Sequence, residues 1–155
     1  DWRGLMKLLV KNRRARHTYH VLETFEAGIV LQGTEVKSCR AGNISLNEAY
    51  ARVDDDELWL IGSHIAHYEQ GNRNNHEAVR NRKLLMHRRE IGRLRQAVEA
   101  KGQTLVPLAV GLSNGKVKVE IGLCRGKNVY DKRQDLKKRD AERETRRAIA
   151  DSRRA

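Results

Sequence analysis

The segment from Thr104 to Cys124 constrains this chain more than any other. Val117, Val119, Ile121 and Leu123 alternate with Lys118 and Glu120, the period of two that sets one face of a strand against a core. Ser113-Asn114-Gly115 separates this run from Thr104–Leu112, and Asn-Gly supplies the left-handed backbone that a tight hairpin turn requires. A hairpin is predicted over Thr104–Leu112 and Lys116–Cys124, with one face in the core and the other turned to solvent or to a ligand. Its edges must then be hidden by further strands.

Candidates for those strands lie upstream. His17 to Leu31 is rich in β-branched, aromatic and aliphatic residues, with a bend expected at Gly28. Glu48–Val53 and Leu58–His64 flank Asp54-Asp55-Asp56 and read as a second hairpin. Helices are predicted from Thr34, as cap, to about Arg40 and from His87 to Ala100, where Ile91, Leu94, Ala97 and Val98 recur at helical spacing before Gly102. Residues 69–83 hold little apolar material and read as an exposed cationic loop. Short strands outnumbering helices predict a mainly β fold, an OB-like closed barrel of five to six antiparallel strands with two to three helices.

Charge narrows the partners. The 155 residues contain 32 Lys+Arg against 20 Asp+Glu, a net charge of +12, and the pI is about 10.2. Polyanions are the natural partner, through release of their counterions. Leu5-Met6 and Leu8-Leu9-Val10 are split by Lys7 and fall far short of a membrane span. Cys39 and Cys124 form no CxxC pair, so a reducing, cytoplasmic setting is expected and both thiols read as small buried hydrophobes. Residues 1–9 support no reading.

From Arg125 onward the chain is dense in Lys, Arg, Asp and Glu with few large apolar residues, so it cannot bury a core of its own. Asp135 with Arg139 and Glu142 with Arg146 are acid-then-base pairs four apart, and neither Gly nor Pro occurs after Asp131. A tail disordered when free and helical when bound is the physical expectation.

Enzymatic and metal readings find little support. His17-x-x-His20 and His64-x-x-His67 lack cysteines at a matching spacing, where zinc needs four convergent ligands. A hydrolase would draw its acid or base from Glu26, Glu35 or Asp54–Asp56, yet no nucleophile pairs with a base at a recognisable spacing, and the aspartates suit a turn. Neither a catalytic group nor a cofactor is expected. Arg13, Arg14 and Arg16 in Asn12-Arg13-Arg14-Ala15-Arg16-His17 form a basic arm before a strand, able to reach phosphates or stack on unpaired bases. Arg80, Arg82 and Lys83 form a second cluster beside Leu84-Leu85-Met86-His87.

Asn12-Arg13-Arg14-Ala15-Arg16-His17, Phe25-Glu26-Ala27-Gly28-Ile29-Val30-Leu31, Gly33-Thr34-Glu35-Val36-Lys37-Ser38, Arg82-Lys83-Leu84-Leu85 and Gly126-Lys127 followed by Tyr130-Asp131-Lys132-Arg133 together resemble the small protein B family, the tmRNA-binding partners of bacterial trans-translation. The resemblance runs from about residue 12 to 133. It implies a poorly matching segment 1–11, an OB-like RNA-binding body over 12–125 and a tail over 126–155. The body would bind the tRNA-like domain of tmRNA around its D-loop and elbow through Arg13, Arg16, His17, Glu26, Lys83, Leu85, His87 and Lys118. Tyr130, Asp131, Lys132, Arg133 and Ile149 would act in the tail, which would enter the stalled 70S ribosome at its decoding centre, probe the empty mRNA channel and fold there as a helix. Elongation factor Tu would accompany the delivery; neither DNA nor a membrane is an expected partner. The loop Glu77–Arg82 lacks the prolines usual in the family, and Ala150 stands where a larger apolar residue is common. A constitutive ribosomal or tRNA-binding protein is the rival reading.

Overall fold

The computed structural model describes residues 7–70 and 75–126 together with the helical positions Arg143 and Arg146. Along the chain run β1 (Lys7–Lys11), α1 (Arg13–Thr18), β2 (Tyr19–Ile29), α2 (Gly33–Arg40), β3 (Ile44–Ser45), β4 (Tyr50–Asp54), β5 (Glu57–Ile61), β6 (His64–Ile65), β7 (Arg82–Leu85), α3 (Arg88–Lys101), β8 (Thr104–Ser113) and β9 (Lys116–Gly126). The expected mainly β body with three helices is present. Its main sheet has the order β1-β8-β4-β5-β7-β2-β9, and β9 also pairs with β8, so six strands from β8 round to β9 join in a hydrogen-bonded ring. β1 lies on the same edge of β8 as β4, beyond it, and β3 pairs with β6 separately.

Local chemistry accounts for the turns. Ser113 pairs with Lys116 across Asn114 and Gly115, both at positive φ, and Asp54 pairs with Glu57 across Asp55 and Asp56, also at positive φ. Both are two-residue hairpin loops whose twist suits the flanking strands. Gly102, at φ 62°, closes α3 and donates its N–H to the carbonyl of Ala97, the expected left-handed stop. Inside the ring, Leu58, Leu60, Leu84, Leu105, Val119 and Ile121 pack against Ile91, Leu94 and Ala97 of α3. Val98, read as part of that stripe, is instead 37 % exposed.

Several expectations need correction. The basic arm is helix α1, which takes in His17 and Thr18, the expected start of the strand. Asn12 caps it by accepting from the Ala15 N–H, and donates from Nδ2 to the carbonyls of Leu46 at 3.2 Å and Pro107 at 2.9 Å. Ala15 packs on Val106, Leu108 and Cys124, so the second face of the β8–β9 hairpin is partly buried under α1 instead of being open throughout. The predicted strand therefore begins at Tyr19. Its irregularity is a bulge between Val21 and Glu23, while Gly28 keeps regular register with Lys118 and Leu85. Gln32, not Thr34, precedes α2, with its N–H bound by Glu35 Oε1 at 2.8 Å. Arg82, assigned to an exposed loop, is fully buried at the start of β7.

Candidate nucleic-acid interface

Side chains alternate across a strand, so on β2, β7 and β9 those that leave the core share one outer face. Glu26 and Gly28 lie there on β2, flanked by Lys83 and Leu85 of β7 and by Lys118 of β9, with Gly28 in register with both Leu85 and Lys118. Met86, His87 and Glu90 close one side where β7 passes into α3. The result is an open cleft of about 550 Å³ lined by Glu26, Gly28, Leu85, Met86, His87, Glu90 and Lys118. The absence of a side chain at Gly28 keeps its floor low: a Cβ there would lie 3.4 Å from Leu85 Cβ and 3.7 Å from Lys118 Nζ. Carboxylates, an ammonium, an imidazole and an exposed Leu85 thus meet in one concavity, a mixture suited to a nucleotide with its base donors, phosphate and apolar faces.

Of the residues singled out in the sequence, Glu26, Leu85, His87 and Lys118 converge in this cleft. Lys83 stands on the same face and pairs with Glu57 at 3.1 Å. Arg13, Arg16 and His17 do not line it. They belong to α1, which lies over Cys124 on the outer face of β9, about 20 Å along the strand from Lys118 by the rise per residue. Tyr130, Asp131, Lys132, Arg133 and Ile149 fall outside the described residues. Gly28, Met86 and Glu90 also line the cleft, beyond the residues the sequence singles out. A glycine inside a strand signals either a bend or a close approach, and at Gly28 it is the close approach.

Beneath the cleft, β7 is anchored by a buried ion network. Glu35 and Arg82 have no solvent exposure. Glu35 Oε2 accepts from Arg82 Nε at 2.6 Å and Arg80 Nε at 3.1 Å, and Oε1 accepts from Arg80 Nη2 at 2.5 Å. Arg82 also donates to the carbonyls of Ser63, Glu77, Ala78 and Arg80 and to the Ser63 hydroxyl. Burial opposes the ionisation of Glu35, but hydrogen bonds from Arg80, the Gln32 N–H and Arg82 outweigh it and hold the carboxyl below its usual range. Such a saturated carboxylate is a structural anchor, which removes Glu35 from the hydrolase candidates. His76, buried in the segment that precedes β7, shares a hydrogen bond at Nδ1 with the Thr34 hydroxyl and donates from Nε2 to the Ile65 carbonyl, each at 2.9 Å.

Burial pushes the Cys39 thiol up to about 12 and the Cys124 thiol up to about 11, so neither is a thiolate nucleophile or ligand at neutral pH. Among the described residues, no three His, Cys, Asp or Glu side chains are grouped to hold a metal ion.

A family model described as SmpB protein matches residues 9–151. An SsrA-binding protein of Carboxydothermus hydrogenoformans is 53 % identical over 143 residues, spanning 92 % of this chain and 96 % of the relative. One from Bacillus subtilis is 51 % identical over 150 residues, spanning 97 % and 96 %. Among solved structures, a chain described as "tmRNA-SmpB: a journey to the center of the bacterial ribosome" is 52 % identical and superposes with a TM-score of 0.65 over 76 % of this chain and 83 % of that one.

Proposed function

This chain belongs to the SmpB protein family, and from that premise we propose that it binds tmRNA and brings it to stalled ribosomes in trans-translation, the body holding the tRNA-like domain through the cleft between β2, β7 and β9. The observation that carries the site is the convergence of Glu26, Leu85, His87 and Lys118 from three strands and a helix start. Glu26 accepts from base or ribose donors and so specifies, while Lys118 and Lys83 hold phosphates and so position. Leu85 and Met86 offer an apolar floor, and His87 a ring for stacking. Arg13, Arg16 and His17 add a second contact along the same RNA from α1.

The function is binding, not chemistry on RNA, and the setting is the cytoplasm; no helix among the described residues is long and apolar enough to cross a membrane. The tail is the ribosome-directed part. Tyr130 stacks on a ribosomal base, Lys132 and Arg133 pair with the RNA backbone, Asp131 caps the helix that forms in the empty mRNA channel, and Ile149 lies near its far end. Elongation factor Tu accompanies the charged tmRNA.

The test is affinity for tmRNA and for an ordinary tRNA of matched length between about 50 and 300 mM salt, where purely electrostatic binding weakens steeply. A preference for tmRNA that persists at high salt supports the proposal. Equal affinities with one shared salt slope would reduce the protein to a generic basic RNA binder, and ribosome binding indifferent to stalling would favour the constitutive alternative.

A further inference from the structure

Beyond the cleft, the outer face of β4, β5 and β7 carries a second set of groups suited to RNA. Leu58 and Leu60 of β5 are fully buried in the core, so Trp59 between them projects from the opposite face, where it is half-buried. Trp59 stands in register with Lys83 of β7 on one side and Arg52 of β4 on the other. In-register neighbours on one face have Cβ atoms about 4.5–5.5 Å apart. One step along, Tyr50, 44 % exposed, lies in register with Ile61 on the same face.

An indole set between a guanidinium and an ammonium on an open sheet is an arrangement that grips an unpaired nucleotide: the base stacks on the ring and the flanking phosphates meet the cations. Both cations have acidic neighbours, Arg52 with Asp54 at 3.7 Å and Lys83 with Glu57 at 3.1 Å. The four side chains are 40–59 % exposed, and ion pairs this open to water are weak and give way to a phosphate. Lys83 and Leu85 alternate outward on β7, so the face is continuous with the cleft.

We propose that the outer face of β4, β5 and β7 is a further RNA-binding surface, besides the cleft and α1, where an unpaired base stacks on Trp59 while Arg52 and Lys83 hold its phosphates. The inference rests on the function proposed above only for which RNAs are present; the base can belong to tmRNA or to ribosomal RNA, since the recognising chemistry is the same. The test uses the full chain carrying Trp2→Phe, which leaves Trp59 as the sole tryptophan reporter. The protein is titrated with an eight-nucleotide oligoadenylate, with the tRNA-like domain of tmRNA and with small ribosomal subunits, with and without Arg52→Glu.

Oligoadenylate is expected to quench Trp59 emission, and Arg52→Glu to weaken that binding at least fivefold with an unchanged melting temperature. The larger RNA whose affinity falls with the same substitution is the source of the base. Absence of quenching at saturating oligoadenylate, or quenching that Arg52→Glu leaves intact, would overturn the proposal; so would quenching lost with Glu26→Ala alone, since the cleft would then account for it. None of these outcomes depends on whether tmRNA is preferred over tRNA, so a failure of this surface is distinguishable from a failure of the main reading.

Discussion

Glu26 stands exposed on the outer face of β2, while Glu35 lies in the first turn of α2 without solvent contact. Nothing in the residue type separates them; the groups around them do. Replacing Glu26 with Ala removes a charge-assisted acceptor without disturbing the core, so tmRNA affinity should fall by about 1–3 kcal/mol at unchanged thermal stability, measurable by filter binding beside a melt. Glu35→Gln leaves the buried Arg82 guanidinium without its countercharge, and urea unfolding should show a loss of about 3–5 kcal/mol at neutral pH. Because the folded protein holds the Glu35 carboxyl below its ordinary value of 4.5, the stabilisation is complete above that pH and disappears as acid protonates the folded form. The wild type should therefore lose stability below about pH 4.5 more steeply than Glu35→Gln. Identical acid limbs would contradict the role given to this network.

At the scale of elements, α1 shows how six residues can form a helix too short to stand alone. Asn12 supplies both ends of the solution: its side chain caps the first turn and ties the helix to the carbonyls of Leu46 and Pro107, while Ala15 packs on β8 and β9. Pro107 lies at a register shift of β8, where its missing N–H breaks no ladder. Asn12→Ala should cost about 1–3 kcal/mol, the penalty for stranding buried polar groups, and should weaken RNA binding only through Arg13, Arg16 and His17, with the Glu26 contact retained. A double-mutant cycle with Glu26→Ala checks this, since additive losses are expected for sites without shared partners. The β8–β9 hairpin was legible because its alternation and Asn-Gly turn are local signals. The α1 segment was not, because its helix exists only where β8 offers the capping carbonyls and an apolar seat.

For the molecule as a whole, a basic body and a basic tail invite the idea that both simply add charge. The proposed division of labour says otherwise. Asp131→Ala with Lys132→Ala and Arg133→Ala should spare tmRNA affinity yet abolish tagging in a reconstituted translation assay; loss of both together would overturn that division. Charge, the mainly β class, both hairpins, α3 and its Gly102 stop, and the cationic motifs that resemble one family were decided by the sequence alone, because each depends on composition or on neighbours within a few residues. Which of the cations serve the interior was decided only by tertiary structure. Arg82 and Lys83 are adjacent in one motif, yet the pleat sends Arg82 inward to Glu35 and Ser63 and Lys83 outward beside Trp59. The cleft likewise required three strands distant in sequence to meet around Gly28; a strand's own alternation fixes which face it buries, but which distant strand becomes its neighbour is settled only when the sheet closes.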